Sequence, residues 1–371
     1  MKVLFLIHDL GVGGAEKVLV NLVNHMDRQK FDITVVALFG GGVNEQSLAP
    51  DIHFRAVWPK ALPGNSHLMK LLTPVQLHKI CVKEHYDVEI AYLEGPSARV
   101  ISGCTDPATK LFSWIHIEQH TKKTAASSFR SYKESCQCYH RFDQIVCVAE
   151  SVKQDFLQLY PDLKNVVVRY NTNETTIILS LKDEPVQDTV FRQDEIKLVS
   201  VGKISKRKGA DRLARIVKRL RDDGLPVHLY ALGVGPDQAE IEAYLSKNSL
   251  QDYYTFLGYQ TNPYKYVAKC DLFVCASLAE GFSTAATEAL IVGTPVCTVK
   301  VSGMKEMLGE HNEWGIVTDN NDESLFLGIR SMISDRKTLS SNKLKAQERG
   351  RFFSTENTVR AVEKMILDAT A

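Results

Sequence analysis

Twice along its length the chain runs through the same succession of parts: a short apolar run, a loop holding glycine, then an amphipathic stretch. The first copy is KVLFLIH, DLGVGG and AEKVLVNLVNHM; the second is IKLVSVGKI (196–204), SKRKG and ADRLARIVKRLRDDG. The short runs, rich in Val, Ile, Leu and Phe, read as strands buried on both faces. Val18, Leu19, Leu22, Val23 and Met26 recur at helical spacing. Further candidate strands follow each copy: FDITVVALF, DVEIAYL (87–93), KLFSWIH (110–116), QIVCVAE (144–150) and NVVVRYN (165–171) after the first, and VHLYALGVG, YYTFLGY, DLFVCAS and TPVCTVK after the second. Helical patterns such as HLMKLLTPVQLHKICVKEH (67–85) lie between most of them. Strands alternating with helices predict parallel sheets with both faces covered. The pattern loosens near 175, in ETTIILSLKDEPVQDTVFRQDE, and restarts at 196. The expectation is therefore two α/β lobes, residues 1–180 and 181–352, with residues 353–371 forming a closing helix that packs back toward the first lobe. That helix has cap candidates at Ser354 and Thr355 and apolar positions at Val359, Val362, Met365 and Ile366. A ligand is expected where the carboxyl ends of the two sheets face a central cleft.

A chain of 371 residues is long enough for two cores, and 44% hydrophobic with 24% charged residues is ordinary for a globular protein. The formal net charge of +1 argues against nucleic acid as a partner. Eight cysteines, at 81, 104, 136, 138, 147, 270, 275 and 297, include no C-x-x-C pair; they read as small buried hydrophobes of a reducing cytosol, with no metal centre. The opening MKVLFLIHDL meets His8 and Asp9 too soon for a secretory signal, and no apolar run approaches the roughly 18 residues of a spanning helix. A cytoplasmic protein is expected, with contact at the inner face of a membrane left open.

Four stretches carry candidate chemistry. In GVGGAEK, Gly11, Gly13 and Gly14 separate a strand from a helix N-terminus, where a backbone without side chains can approach an anion; a tight turn explains the same residues. It is not a clean G-x-G-x-x-G, and FDITVVALFGG lacks the ribose-binding acid, so a nicotinamide dehydrogenase is disfavoured. In VGKISKRKGADRL, Lys203, Lys206, Arg207 and Lys208 crowd one loop, as either a solvated basic loop or a diphosphate clamp. LGVGPD places Gly233 and Gly235 after another strand. In AEGFSTAATEAL, Glu280 and Glu288 stand eight residues apart. On one continuous helix they would lie roughly 80° and more than two turns apart. Instead LAEGF reads as a loop, Ser283 or Thr284 as the cap of a helix ending at Gly293, and the amides of 282–284 as donors between the two acids. Two carboxylates and a row of donors suit a polyol carrying a phosphate.

EGFSTAATE resembles the E-x7-E signature of glycosyltransferase family 4, the retaining nucleotide-sugar transferases of GT-B fold. GGAE (13–16), VGKISKRKG, LGVG, FLGY (256–259), EGFSTAATEAL and GTP (293–295) occur in that family's order. The resemblance implies two Rossmann-like lobes, the first on the acceptor side and the second binding the nucleotide-sugar. It implies that Glu280 contacts hydroxyls of the donor sugar and Glu288 the ribose. Lys203 and Lys208 would hold the diphosphate, the amides of Phe282, Ser283 and Thr284 would bind sugar or phosphate oxygens, and Gly233 would allow close backbone approach. Gly13 and Gly14 would bring backbone to the diphosphate, Tyr259 would frame the base, and His116 would face the donor sugar. Two departures stand out. Lys203 occupies a position where the family often has arginine, so a bidentate grip is lost. Asn171-Thr172 replaces the family's usual N-P.

The implied reaction is metal-independent, needs no cofactor, and proceeds with net retention through an oxocarbenium-like transition state. The expected activity moves a hexose or N-acetylhexosamine from a UDP-sugar to a saccharide acceptor, lipid-linked, in capsule, exopolysaccharide or lipopolysaccharide synthesis. The alternatives are a GDP-mannose-dependent mannosyltransferase, an epimerase or sugar-phosphate synthase on the same fold, and a non-catalytic partner subunit. HLMKLL (67–72) and the basic, aromatic TKKTAASSFRSYK (121–133) are the expected peripheral membrane face.

Overall fold

The computed structural model of the chain describes residues 1–60 and 69–370. They divide into two compact units, one of residues 1–173 with the C-terminal helix Thr355–Thr370, the other of residues 174–354.

In the first unit seven strands form one parallel sheet: β1 (Lys2–Ile7), β2 (Asp32–Phe39), β3 (His53–Trp58), β4 (Val88–Ala91), β5 (Lys110–Ile115), β6 (Gln144–Cys147) and β7 (Val166–Val168). Their spatial order is β3-β2-β1-β4-β5-β6-β7. The central β1 is apolar and wholly buried from Val3 to Ile7, as expected of a strand covered by helices on both faces. The sequence pattern had no signal for β3. HFRAVW is an edge strand, only partly buried, and its Arg and His interrupt the apolar run. The expected helix over 67–85 is shorter: Thr73 caps a new helix, Pro74–Cys81, in a capping box with Gln76 and with proline at its first position. His67 and Leu68 lie outside the described residues. The run QIVCVAE stops being a strand at Cys147, and Glu150 opens the helix Glu150–Leu159.

The C-terminal helix buries Val359, Val362, Met365 and Ile366 and packs on the helix Gly14–His25. Thr355 Oγ1 donates to the Asn173 carbonyl at 2.5 Å, and the Asp27 amide donates to Glu363 at 2.6 Å.

In the second unit six strands form a parallel sheet: β8 (Ile196–Val201), β9 (Val227–Leu232), β10 (Tyr254–Gly258), β11 (Leu272–Cys275), β12 (Val296–Val299) and β13 (Ile316–Thr318), ordered β10-β9-β8-β11-β12-β13. The partly buried β13 was not among the strands read from the sequence. The stretch after 174 is not a bare linker: Thr175–Leu181 is a helix of this unit, packed through buried Ile178 toward the helices Tyr264–Val267 and Thr284–Val292. All eight cysteines are free thiols, buried except for the half-buried Cys136.

Each sheet has one place where the strand order reverses, between β1 and β4 in the first unit and between β8 and β11 in the second. At such a switch point the loops leaving adjacent strands diverge to opposite faces and leave a crevice at the carboxyl edge.

Candidate active site

The switch point of the second unit is flanked by the two loops richest in candidate residues. The loop after β8 runs through Gly202 and Lys203 into a single turn, Lys206–Lys208, whose Ser205 accepts from the Lys208 amide. Gly209 then enters the helix Ala210–Asp222 at φ +73°, and a side chain there would overlap the Ala276 carbonyl. That carbonyl lies just beyond β11, so glycine at 209 lets the two switch-point loops touch. Arg212, 5% exposed, reinforces the junction: its guanidinium reaches the Ala276 carbonyl at 3.1 Å and is held by Asp322 and Asn320.

The loop after β11 carries Glu280. Its Oε1 accepts from Lys208 Nζ at 2.6 Å and from Ser277 Oγ at 2.6 Å. The Glu280 and Lys208 side chains are largely buried, 13% and 28% exposed. Ser283 caps the next helix, Thr284–Val292, through the Ala286 amide, and Gly293 closes it in the left-handed conformation, as the sequence predicts. The first amides of this helix have no intrahelical acceptor and, with the helix dipole, favour an anion. Phe282 and Ser283 are buried and Thr284 half-buried. Glu288, one turn further in, accepts from the Tyr264 hydroxyl at 3.2 Å. The two glutamates therefore answer to separate partners: one is tied to the basic loop, the other to an aromatic helix.

Lys203 is exposed and makes no hydrogen bond or ion pair among the described residues. Lys206 is turned elsewhere, pairing with Glu240 at 2.8 Å. The Gly233 amide donates to the Gly258 carbonyl at 2.7 Å, and a side chain there would strike the Gly202 carbonyl. The glycines of LGVG bring two loops together, with Gly235 packed against Ile204 in the same way. Tyr259, beyond β10, is 69% exposed.

The switch point of the first unit is flanked by the loops after β1 and β4, with His116 just after neighbouring β5. Gly13 caps the helix Gly14–His25, and the Glu16 carboxylate folds into the space a side chain at 13 would need. Burial raises the Glu16 pKa, and the nearby Asp9 carboxylate adds to the effect. Gly14 is different: a Cβ there meets nothing. Nothing in the chain's own packing requires glycine at 14. His116 is 7% exposed, and its amide donates to Glu94 at 2.9 Å. Burial drives its pKa down to about 4 against an opposing hydrogen bond with the Tyr92 backbone, so the imidazole is neutral near pH 7. Its Nε2 is buried without a partner among the described residues. A buried, unpaired ring nitrogen is costly unless something else supplies the bond.

Three participants escaped the sequence. Ser277 precedes Glu280 by three residues and sits at a strand end, which was the one local sign available. Tyr264 and Glu94 are brought in by tertiary packing, and no spacing marks them. In the basic, aromatic run 121–133, Phe129 is core and the Arg130 guanidinium braces the carbonyls of Lys70 and Leu71 at 2.6 and 2.7 Å. That leaves Lys122, Lys123 and Lys133 as the cations of this stretch, with Leu71 75% exposed nearby in the chain's first unit.

Comparison with known proteins gives the following. Residues 12–175 match the family model described as Glycosyltransferase Family 4, and residues 182–350 match Glycosyl transferases group 1. The chain is 27% identical, over 97% of its length and 98% of the relative's, to the N-acetylgalactosamine-N,N'-diacetylbacillosaminyl-diphospho-undecaprenol 4-alpha-N-acetylgalactosaminyltransferase of Campylobacter jejuni. It is 24% identical to the lipopolysaccharide core biosynthesis glycosyltransferase LpsD of Rhizobium meliloti, covering 90% of this chain and 89% of that one. Among solved structures, HepE of Anabaena in complex with UDP superposes with a TM-score of 0.78 at 19% identity, covering 99% of this chain and 100% of that one. The lipopolysaccharide outer core galactosyltransferase WaaB superposes at 0.72 with 15% identity, over 99% of each chain.

Proposed function

The chain belongs to glycosyltransferase family 4, retaining hexosyltransferases of GT-B fold, and from that premise we propose that it transfers a hexose or N-acetylhexosamine from a UDP-sugar to a lipid-linked saccharide in surface-glycan synthesis. The observation that carries this reading is the cluster at the switch point of the second unit, where Lys208, Ser277 and Glu280 meet beside an open helix N-terminus. The base and acceptor are argued by likeness. The Anabaena structure holds UDP, and the Campylobacter relative is named for a diphospho-undecaprenol acceptor.

In the proposed mechanism the bond between the anomeric carbon and the diphosphate oxygen breaks as the acceptor hydroxyl forms its bond on the same face. The acceptor proton passes to the departing phosphate oxygen. The largest electrostatic task is the charge gathering on UDP, met by Lys203, Lys208 and the amides at Phe282, Ser283 and Thr284. Lys203 has no competing partner among the described residues and can move to the ligand. Lys208 bonds Glu280 already and would bridge that carboxylate and the phosphate. Glu280 serves as a sugar-positioning group rather than a nucleophile, because a cation and a hydroxyl already hold one of its oxygens. Glu288, steadied by Tyr264, receives the ribose hydroxyls, and Tyr259 borders the base. In the first unit, the space above Gly14 admits a phosphate to the helix N-terminus. The neutral His116 offers Nε2 to a sugar hydroxyl, which removes the cost of its unpaired state. No helix among the described residues is long and apolar enough to cross a membrane. A lipid-linked acceptor would be met by peripheral contact, through Leu71, Lys122 and Lys123, at the inner face of a cell membrane.

The test is turnover. The protein is incubated with UDP-sugars and, separately, GDP-mannose, with a short-chain polyprenyl-diphosphate saccharide as acceptor, and released nucleotide and extended lipid are both measured. UDP release that depends on the acceptor supports the reading. GDP release alone moves it to the mannosyltransferase, and nucleotide-sugar binding without either product moves it to a partner subunit.

A further inference from the structure

We propose that His78, Glu89 and Cys104 form a zinc site in the first unit, unconnected with the sugar chemistry. Each offers one ligand atom, and the three atoms lie within 4.8 Å of one another. His78 Nε2 is 2.7 Å from Glu89 Oε2. In a tetrahedral zinc site, with bonds of about 2.0–2.3 Å, ligand atoms stand about 3.3–3.6 Å apart. With one pair at 2.7 Å and all three atoms within 4.8 Å, side-chain shifts of about an ångström bring the cluster to that spacing.

The three residues sit on separately pinned elements. Glu89 lies within β4, its register partners being Leu4 of β1 and Leu111 of β5, and it is 2% exposed. His78 is on the short helix Pro74–Cys81, fixed at its start by the Thr73 capping box. Cys104, also 2% exposed, closes the turn after the helix Pro96–Ile101. Its amide donates to Ile101, its carbonyl accepts from Arg141 at 2.6 Å, and its thiol lies 3.9 Å from the Asp106 carbonyl. The neighbouring Gly103 packs so tightly on Pro74 that a side chain there would overlap the Pro74 carbonyl. Helix, strand and turn are thus locked together around the cluster, and side chains on locked elements make precise sites.

The chemistry of the set selects the ion. An imidazole, a carboxylate and a thiolate suit zinc, whereas magnesium and calcium prefer oxygen alone. The fold itself gives little reason for the set. A carboxylate inside a parallel sheet is expensive to desolvate, and a buried ion pair can usually be replaced by apolar residues without loss. Zinc takes a neutral imidazole, a carboxylate and a thiolate, so the ion enters as the ligands give up the protons they hold. The His78 side chain is 14% exposed, which gives the ion a route in and a water the fourth position.

The experiment uses the full chain, purified without a metal-affinity tag. Bound zinc is measured by mass spectrometry; the metal is then stripped and cobalt(II) titrated in. One zinc per chain, with a thiolate-to-cobalt charge-transfer band on substitution, is expected. Cys104→Ser should abolish the band, and His78→Gln should weaken zinc by more than about 100-fold, beyond what changes outside the ligand set produce. Circular dichroism of each variant checks that it folds; should Cys104→Ser not fold, the wild-type cobalt spectrum and Glu89→Gln decide. Wild-type protein that retains no zinc and gives no charge-transfer band overturns the proposal. So does a cobalt spectrum unchanged in folded Cys104→Ser and His78→Gln, which would put the metal elsewhere.

Discussion

One carboxylate oxygen of Glu280 is shared by Lys208 and Ser277, and the sharing ranks the substitutions around it. Lys208→Ala removes both the phosphate cation and the strongest tie on Glu280, and should lower kcat by about 10²–10³-fold, as the loss of one preorganised charge-stabilising donor does. Ser277→Ala removes one hydrogen bond, about 1 kcal/mol, and should cost only about 5-fold. Steady-state kinetics on the two variants checks the order, and equal losses would contradict it. Gly14→Ala separates ligand from fold: a Cβ there meets nothing in the protein, so the melting temperature should hold while donor turnover falls. Full activity in that variant would remove Gly14 from the site. His116 gives a pH prediction. Its pKa is about 4 when folded and about 6.5 in an unfolded chain. Between those values the unfolded chain takes up a proton that the folded one refuses. The stability His116 contributes is complete above about pH 6.5 and is lost as pH falls toward 4. Its ring resonances, followed by NMR, should show no titration between pH 5 and 8, and a midpoint near 6.5 would refute the buried, neutral state.

At the scale of elements, the decisive joint is the contact between the loops after β8 and β11, which rests on Gly209. Gly209→Ala combines a positive φ, costing about 1–2 kcal/mol, with a backbone collision, and should lower the unfolding midpoint of the second unit and the activity together. A variant as stable as the parent would show that the loops do not need this approach. The helix Thr284–Val292 was legible in the sequence from cap to cap because Ser283 and Gly293 are local signals. What was not legible came from farther off. Gly233 reads as a turn that allows close backbone approach, and nothing local shows that its amide donates to Gly258 of β10. Lys206 reads as a clamp residue until Glu240, one helix on, claims it. Arg130 reads as a surface cation until its partners, the carbonyls of Lys70 and Leu71, are in view. A motif specifies which groups are present; which of them are already spent is decided by tertiary packing.

At the scale of the whole molecule, the alternation of strand and helix was readable because the buried parallel strands are predominantly apolar runs and helical periods lie between most of them. Two of the four edge strands were not, the half-exposed β3 and the three-residue β13, whereas the other edges, β7 and β10, were. Strand order was beyond the sequence, and strand order is what puts Glu280 and Lys208 on facing loops of one switch point and Gly14 at the switch point of the other sheet. The proposed peripheral attachment is tested at this scale too. Lys122→Glu with Lys123→Glu should abolish cosedimentation with anionic vesicles while leaving turnover of a water-soluble acceptor analogue unchanged; unaltered cosedimentation would exclude this face. The central claim, that the chain is built around a uridine-diphosphate sugar, is tested most directly by calorimetric titration with UDP in the presence of EDTA, on the parent and on Glu288→Ala. Expected is one UDP per chain, indifferent to EDTA, with affinity lowered about 10- to 100-fold in the variant, the worth of hydrogen bonds to a charged carboxylate. No heat of binding from the parent, or equal affinity in Glu288→Ala, would contradict the donor site as described.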